Sequence, residues 1–417
     1  MSVIFHIDAN AAYLSWAAVE RLKHGETEDI RRIESAIAGD PKTRRGIILA
    51  KSDLAKALGV RTGETVQAAL KKCPWLKLFA PDHDLYARYS DAMYEELSRY
   101  SPVIERFSID ECYLDYTGSE ALFGPPLEVA HRLKDEMKRK LGFTVNVGVS
   151  VNKILAKMGS ELEKPDRVHS LFPDEIEEKM WPLPIGNLFS VGRSSRTRLE
   201  TAGIRTIGDA ARADRSFIMS LIGEAHGASV HDFANGRDDS PVVTAEEHDR
   251  KGIGNSTTTA WDVTTLEEAD KVLLWLSDKV GARLRKHGCY ARVVSVSMRP
   301  SDFSKRPYGH QRKLDMPIHT TDAIYAEAKA LFREAWKGEP VRNLGVHFNE
   351  ITDSREGQIS MFGVGSCGGL PAGFPAGVAG GQTSGFAAGE PENAEELDKA
   401  VDSIRERFGK DAVKRGL

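Results

Sequence analysis

Two kinds of apolar spacing alternate along this chain, and each predicts a different element. The first is the short strand-like run. Val3, Ile4, Phe5 and Ile7 form one that ends on Asp8, so a strand should close on a carboxylate. Gly46 to Ala50 predicts a buried strand, and Thr144 to Ser150 alternates as a strand does. The second kind is the three- and four-residue spacing of helices. Leu85, Tyr89, Met93, Leu97 and Tyr100 predict a helix against a sheet, and Ala130, Leu133, Met137 and Leu141 predict another that Gly142 ends. A helix is expected from Ala11 to Leu22, with Tyr13 at its start. Ser52 is suited to cap a short helix that Gly59 closes, and a further helix should run from Thr65 to Cys73, before Pro74. Residues 24–46 are polar and charged and read as a loop or insertion.

The most informative stretch is Phe107 to Thr117, where Asp110 and Glu111 stand side by side between apolar runs. Strand neighbours point to opposite faces, so a turn or bulge is needed for both to serve one site. Burying two like charges is costly unless a cation lies between them. Alone, the stretch would pass for a hairpin with a solvated acidic tip. Together with Asp8, it offers three carboxylates at strand ends. Such a set could hold two divalent cations about 4 Å apart, as in phosphoryl transfer.

The order strand, helix, hairpin, helix, strand is that of a ferredoxin-like α+β domain. Residues 168–240 then read as helical and 241–250 as a linker. Strand and helix patterns return over 251–350: a strand at 291–298, and helices over Lys271–Lys286 and Asp322–Trp336. This predicts a second α+β unit. Residues 363–390 are rich in Gly, Ala and Pro and should be flexible. Beyond them, Leu397, Val401, Ile404 and Phe408 fall on one helical face, suited to dock on the protein or on a partner.

Composition narrows this picture only modestly. With 417 residues, 41% hydrophobic and 28% charged, the chain has room for two to four domains. No apolar run is long enough to span a membrane. The N-terminus lacks a basic region before its first strand, so no signal peptide is expected. Cys73, Cys112, Cys289 and Cys367 form no C-x-x-C pair, which argues against zinc and for reduced thiols in a cytoplasmic protein. The net charge of −4 does not by itself advertise a polyanion partner, although residues 249–350 lean basic.

Three motifs carry a resemblance. "SIDECYLDYT" resembles the S-x-D-E-x-x-L-D-x-T signature of the Y-family (translesion) DNA polymerases, "FHIDANAAYLSW" their first palm strand, and "GVSVNKILAKMGSELEKPD" their third motif. They occur in the family's order and spacing, and the resemblance covers roughly residues 1–360. It implies a ferredoxin-like palm (1–23 and 80–167), fingers (24–79), a helical thumb (168–240) and an α+β little finger (251–352). A clamp-binding peptide and tail (353–390) and a C-terminal helix (391–417) would follow. It also implies template-directed DNA synthesis past damaged bases, by a monomer, from primed template DNA and dNTPs.

The resemblance extends to single residues. Asp8 and Asp110 would bridge two Mg²⁺ ions, Glu111 would lie nearest the primer 3′-hydroxyl, and the Ala9 carbonyl would be a further ligand. Tyr13 would lie under the nucleotide sugar and exclude a 2′-hydroxyl; beside it, Ala11 and Ala12 are small and by their size would leave room for a tolerant pocket. Lys164 and Lys56 would bind the triphosphate, with Lys51 as a further recruit. The sequence departs from the family at two of these positions: Lys56 replaces an arginine and Asp53 a tyrosine, and a carboxylate cannot donate to a phosphate. Residues 199–211 resemble half of a helix-hairpin-helix, preceded by Val191-Gly192-Arg193-Ser194 rather than G-x-G, so Arg193 would supply a phosphate contact. Arg292, Arg299 and Arg312 would do so in the second α+β unit. Gln358, Met361 and Phe362 belong to a segment resembling the bacterial sliding-clamp-binding pentapeptide.

Two rival readings are a polymerase-fold DNA-repair scaffold with weak or no activity and another two-metal phosphotransferase such as a nucleotide cyclase. Asp53 and Lys56 speak for the scaffold, and the three carboxylates against it. The Lys164 motif, the hairpin-like segment and the clamp peptide speak against the cyclase.

Overall fold

The computed structural model describes residues 2–43, 46–244, 252–353, 392–409 and 412–415. It divides into two compact units, Met1–His248 and Asp249–Leu417.

The first unit opens with β1 (Ile4–Ala9), buried along its whole length, and α1 (Ala12–Lys23). Next come β2 (Ser35–Ala38), β3 (Ile48–Lys51), α2 (Asp53–Ala57), α3 (Val66–Lys72) and β4 (Lys77–Phe79). The three strands form a small sheet in the order β3-β2-β4. This corrects the reading of residues 24–46 as loop, because its central strand β2 lies within them and is buried throughout. Its Ser-Ala-Ile-Ala sequence has a single β-branched residue and little periodicity, and Ser35 satisfies its hydroxyl on the Ile30 carbonyl. The cap expected at Ser52 forms, accepting from Ala55 N, and Thr65 caps α3 in the same way, accepting from Ala68 N.

The main sheet is completed by later elements. α4 (His83–Ser98) buries Leu85, Tyr89, Met93 and Leu97, as their spacing predicts. β5 (Ile104–Arg106) and β6 (Glu111–Asp115) form the hairpin, followed by α5 (Glu120–Phe123), α6 (Pro126–Leu141), β7 (Val145–Ser150), α7 (Lys153–Glu161) and β8 (Val168–Ser170). The strand order is β5-β6-β1-β7-β8, with β1 antiparallel to both β6 and β7. This is a ferredoxin-like sheet with one added edge strand. Although β7 alternates in sequence, all six of its residues are buried. Helix α6 packs against it, and so does α7, whose residues belong to a different apolar cluster from those of α6.

Helix α7 can lie this close because β7 has glycine at position 148. A methyl group there would stand 1.9 Å from Ala156 O and 2.5 Å from Ser160 N, both backbone atoms of α7. Helices α8 (Ile176–Lys179), α9 (Arg193–Thr201), α10 (Ile207–Arg212), α11 (Arg215–Ile222) and α12 (Glu224–Ala234) then form a helical cluster that shares Leu155 and Met158 with α7.

The second unit comprises β9 (Ile253–Val263), α13 (Leu266–Lys286), β10 (Tyr290–Pro300), β11 (Tyr308–Ile318), α14 (Thr321–Ala335), β12 (Val341–Thr352) and α15 (Glu392–Phe408). Its antiparallel sheet has the order β11-β10-β12-β9 and packs against α13 and α14. The fold class is therefore α+β, as expected. Cys73, Cys112 and Cys289 are buried and none is in a disulfide.

Docking of the apolar row of α15 on the protein, one of the two uses expected for it, is corrected. Of its apolar row only Val401 is buried, while Leu397, Ile404 and Phe408 are 52%, 39% and 75% exposed. The buried side instead carries Asp398 and Arg405. Asp398 accepts from Thr321 N (2.8 Å), Thr321 Oγ1 (2.9 Å), Arg285 (2.9 Å) and Arg415 (2.6 Å), while Arg405 forks onto Asp278. The seat is ionic, so apolar periodicity pointed to the wrong side.

Gly148→Ala should lower unfolding free energy by about 2–4 kcal/mol in urea melts, because backbone atoms on both sides cannot give way. A loss under about 0.5 kcal/mol would contradict this close packing.

Candidate active site

Strand β1 delivers Asp8 to its C-terminal end, where it stays 7% exposed. Asp8 lies directly opposite Glu111 in the antiparallel register with β6, so the two side chains share one face of the sheet. The connection from β5 closes tightly: Phe107 N and Ser108 N both donate to Glu111 O, at 3.0 and 3.1 Å. Asp110 sits at the end of this turn. Its backbone carbonyl accepts from Ala9 N (3.0 Å), and Ser108 Oγ donates to its carboxylate (2.6 Å).

Helix α7 supplies the opposite wall. Lys157, 8% exposed, donates to Glu111 Oε2 at 2.7 Å. One turn on, a Glu161 carboxylate oxygen lies within 4.8 Å of ligand atoms of Asp8 and Glu111. Lys164, just beyond the helix, donates to Asp8 (3.0 Å) and Glu161 (2.9 Å). The loop carrying Lys164 is held by two buried asparagines. Asn146 donates to Ser160 O (2.9 Å) and Glu163 O (2.6 Å), and Asn10 donates to Asn146 and accepts from Asp166 N (2.9 Å). His6 is fully buried, with Nδ1 2.7 Å from Ser160 Oγ. Its Nε2 faces Glu111 Oε2 at 3.5 Å.

These surroundings separate the two opposed carboxylates. Burial pushes Asp8 up to about 7, with Lys164 pulling against it. Burial would raise Glu111 as well, but His6 and Lys157 hold it down at about 2. Burial lowers the His6 imidazole. It also works against the Lys164 charge, which Asp8 and Glu161 nonetheless raise. The oxygen-only donor set of Asp8, Glu111 and Glu161 suits a hard divalent cation such as magnesium.

A family model described as the impB/mucB/samB family matches residues 7–161, and one for its C-terminal domain matches residues 250–361. Over all of this chain it is 41% identical to DNA polymerase IV of Clostridium acetobutylicum, covering 98% of that relative. DNA polymerase IV 2 of Bacillus subtilis is 33% identical, over 86% of this chain and 87% of the relative. The chain belongs to the Y-family of DNA polymerases. A solved Y-family polymerase chimera shares its fold, with a TM-score of 0.72 and 23% identity, over 84% of this chain and 99% of that one.

The polymerase gathers some of the expected residues and not others. Asp8 and Glu111 meet, but the Asp110 carboxylate rests on Ser108 outside the Asp8–Glu111–Glu161 group. Tyr13 is half-buried and stacks on Tyr86, with ring centroids 4.2 Å apart and planes 8° apart. Its hydroxyl pKa is raised by burial and then by the Asp110 charge, so Asp110 is within electrostatic reach. The small side chain of Ala12 is buried in the core of the sheet, which corrects the expectation that it leaves room beside Tyr13.

Lys56 is exposed on α2, near enough to Lys51 for its charge to add to burial in lowering Lys51. Asp53 stands at the first position of α2, where a carboxylate favours the helix dipole. Its departure from the family pattern thus has a structural account. Arg193 is exposed at the start of α9. In the second unit Arg299 is exposed beside the Phe303 ring and Arg292 is half-buried. Arg312 is committed to Glu327 and Glu334 of α14, because its position on β11 puts it on the helix-covered side. A phosphate contact by Arg312, as expected from the sequence, would compete with these two partners. Gln358, Met361 and Phe362 lie outside the described residues.

Sequence reasoning missed Glu161, Lys157, His6, Asn10 and Asn146. Lys157 and Glu161 have the four-residue spacing of one helix face, inside the very motif that pointed to Lys164. That was the available signal.

The Asp8 environment makes metal-free stability pH-dependent. An unfolded aspartate titrates near ~4, and folded Asp8 near 7. Between these values the folded state keeps a proton that the unfolded chain has lost. The Asp8 contribution is therefore present below about pH 4 and lost by about pH 7, at up to about 1.4 kcal/mol per unit. In EDTA, urea melts should show Asp8→Asn losing less stability than wild type between pH 5 and pH 8. Equal pH slopes would contradict the assignment.

Proposed function

We propose that this polymerase extends a DNA primer on a template by two-metal nucleotidyl transfer, and that it serves translesion synthesis in DNA repair. The observation that carries the reading is the opposed pair Asp8 and Glu111, with Lys164 reaching Asp8 from the adjoining loop. The substrates are primed template DNA and dNTPs. The primer 3′-oxygen attacks the α-phosphate in line, and pyrophosphate leaves.

Asp8, Asp110 and Glu111, with the Ala9 carbonyl, would hold two Mg²⁺ ions. Bound magnesium supplies Lewis-acid charge that lowers the pKa of an attacking hydroxyl and stabilises a leaving oxygen. Asp110 joins the set by turning its carboxylate from Ser108, a side-chain rotation that leaves its anchored backbone in place. Glu111 lies nearest the primer terminus. Lys164 exchanges Asp8 for the triphosphate, and exposed Lys56 approaches it from α2. Tyr13 meets the sugar of the incoming nucleotide. Its stacking on Tyr86 keeps the ring from swinging aside, so a 2′-hydroxyl is refused by bulk.

Arg193, Arg292 and Arg299 contact DNA phosphates, which position the duplex without reading sequence. The segment of Gln358, Met361 and Phe362 binds a sliding clamp, and tethering offsets the modest affinity of so short a peptide. The enzyme acts as a monomer in the bacterial cytoplasm. No helix among the described residues is long and apolar enough to cross a membrane.

Primer extension with Mg²⁺ and dNTPs tests the reading. Wild type should extend a primed template, and Asp110→Ala with Glu111→Ala should reduce extension at least about 10³-fold. Extension that survives both substitutions would refute the site. Tyr13→Ala should raise ribonucleotide incorporation by roughly 10–100-fold relative to deoxynucleotide, read by single-nucleotide insertion kinetics. An unchanged ratio would remove Tyr13 from the sugar pocket.

A further inference from the structure

The site contains two ammonium groups as well as its carboxylates, and they differ in how firmly they are held. Lys157 is buried at 8% exposure, 2.7 Å from Glu111. Its cation also lies 5.3 Å from the Phe107 ring centroid and 5.6 Å from that of Phe189. Both ring faces favour the charge. Beside it is a cavity of about 380 Å³, lined by Met158, Glu161, Asn187 and Phe189. Lys164 pairs with Asp8 and Glu161, but its side chain is 31% exposed. That exposure lets it turn toward solvent or toward an arriving anion.

We propose that Lys157 and Lys164 are built-in counter-ions that hold Glu111 and Asp8 before substrate arrives, making divalent-cation binding conditional on the nucleotide. The inference rests on the two-metal reading above. With Lys164 on Asp8 and Lys157 on Glu111, each carboxylate needed by a cation already faces a positive charge. A divalent ion entering before the nucleotide must displace an ammonium or sit beside one. A nucleotide triphosphate brings its own negative charge. Lys164 turns to it and releases Asp8, while Lys157 remains on Glu111 and fixes its direction. Lys157 is thus a positioning residue acting through Glu111, and Lys164 is the releasable member of the pair.

The arrangement gives a signature that plain phosphate binding by Lys164 would not. Even at the dielectric of water, removing a unit charge about 5 Å from a divalent ion is worth roughly tenfold in affinity. Mn²⁺ binding, followed by electron paramagnetic resonance of the free ion, is the probe. Wild type, Lys157→Met and Lys164→Met are compared with and without a non-hydrolysable dNTP on primed DNA.

Without nucleotide, both variants should bind Mn²⁺ about tenfold tighter than wild type. With saturating nucleotide, wild-type affinity should rise by more than that of Lys164→Met, closing the tenfold gap between them. Nucleotide-free affinities within twofold of wild type, or weaker, would overturn the proposal. If Lys157→Met fails to fold, the more exposed Lys164→Met carries the same test. Wild type that neither extends a primer nor binds Mn²⁺ with nucleotide would defeat the two-metal reading itself. Normal extension with indistinguishable variants would defeat only the counter-ion assignment.

Discussion

The structure of the first unit depends on holding two carboxylates opposite each other on one face of a sheet. Asp8 and Glu111 are fixed there by the register of β1 and β6. Like charges so placed repel, and burial sharpens the repulsion. Neither strand can yield, because each is paired on both sides within the sheet. Relief must come from a neighbouring element that brings positive charge over that face. Helix α7 and the loop after it do so, with Lys157 and Lys164.

The position of α7 is therefore the second requirement, and several unrelated residues serve it. Gly148 lets the helix backbone touch β7. Both His6 and Asn146 hold its C-terminal turn at Ser160, tying it to β1 and to β7. At its N-terminal end, Asn152 caps it, and Lys153 pairs with buried Glu105 of β5. Glu105 also accepts from Val243 N, and Asp238 from Ile154 N, which straps residues 238–243 across the helix start. The carboxylates, their counter-charges and the end of the helical cluster thus share one rigid support. Ligand groups held this way keep their direction without a loop having to order.

What the sequence made legible follows from this division of labour. Asp8 and Glu111 were readable because a carboxylate that ends an apolar strand is out of place unless something uses it. Helices with one buried face, such as α4 and α6, were readable for the same reason. Lys157 and Glu161 were not, because charged residues one turn apart on a helix usually form a solvated face. Only the contacts of α7 reveal that Lys157 is buried on Glu111 and that Glu161 borders the same site. Strand β2 escaped because Ser and Ala carry almost no strand signal. The regular alternation of β7 concealed burial along its whole length. Asp110 was expected with its neighbours by adjacency, but a turn that seats Ser108 on its carboxylate leaves it beside the group.

Helix α15 is the sharpest case, because its apolar row is real and faces outward. An apolar seat would have gained free energy from burial but would have tolerated slippage along the helix. The ionic seat works differently. Buried charges are costly unless their geometry is nearly complete, so they add little net strength and much specificity of place. Asp398 has its partners only when the Thr321 amide, Arg285 and Arg415 all converge on it. A shift by one turn would leave Asp398, Asp278 and Arg285 buried and unpaired together. Since Asp398 and Asp278 are almost fully covered, salt screens this arrangement far less than it would a surface pair. The register of α15 is accordingly set by charge, and Leu397, Ile404 and Phe408 are exposed because the residues that fix the helix lie on its other side.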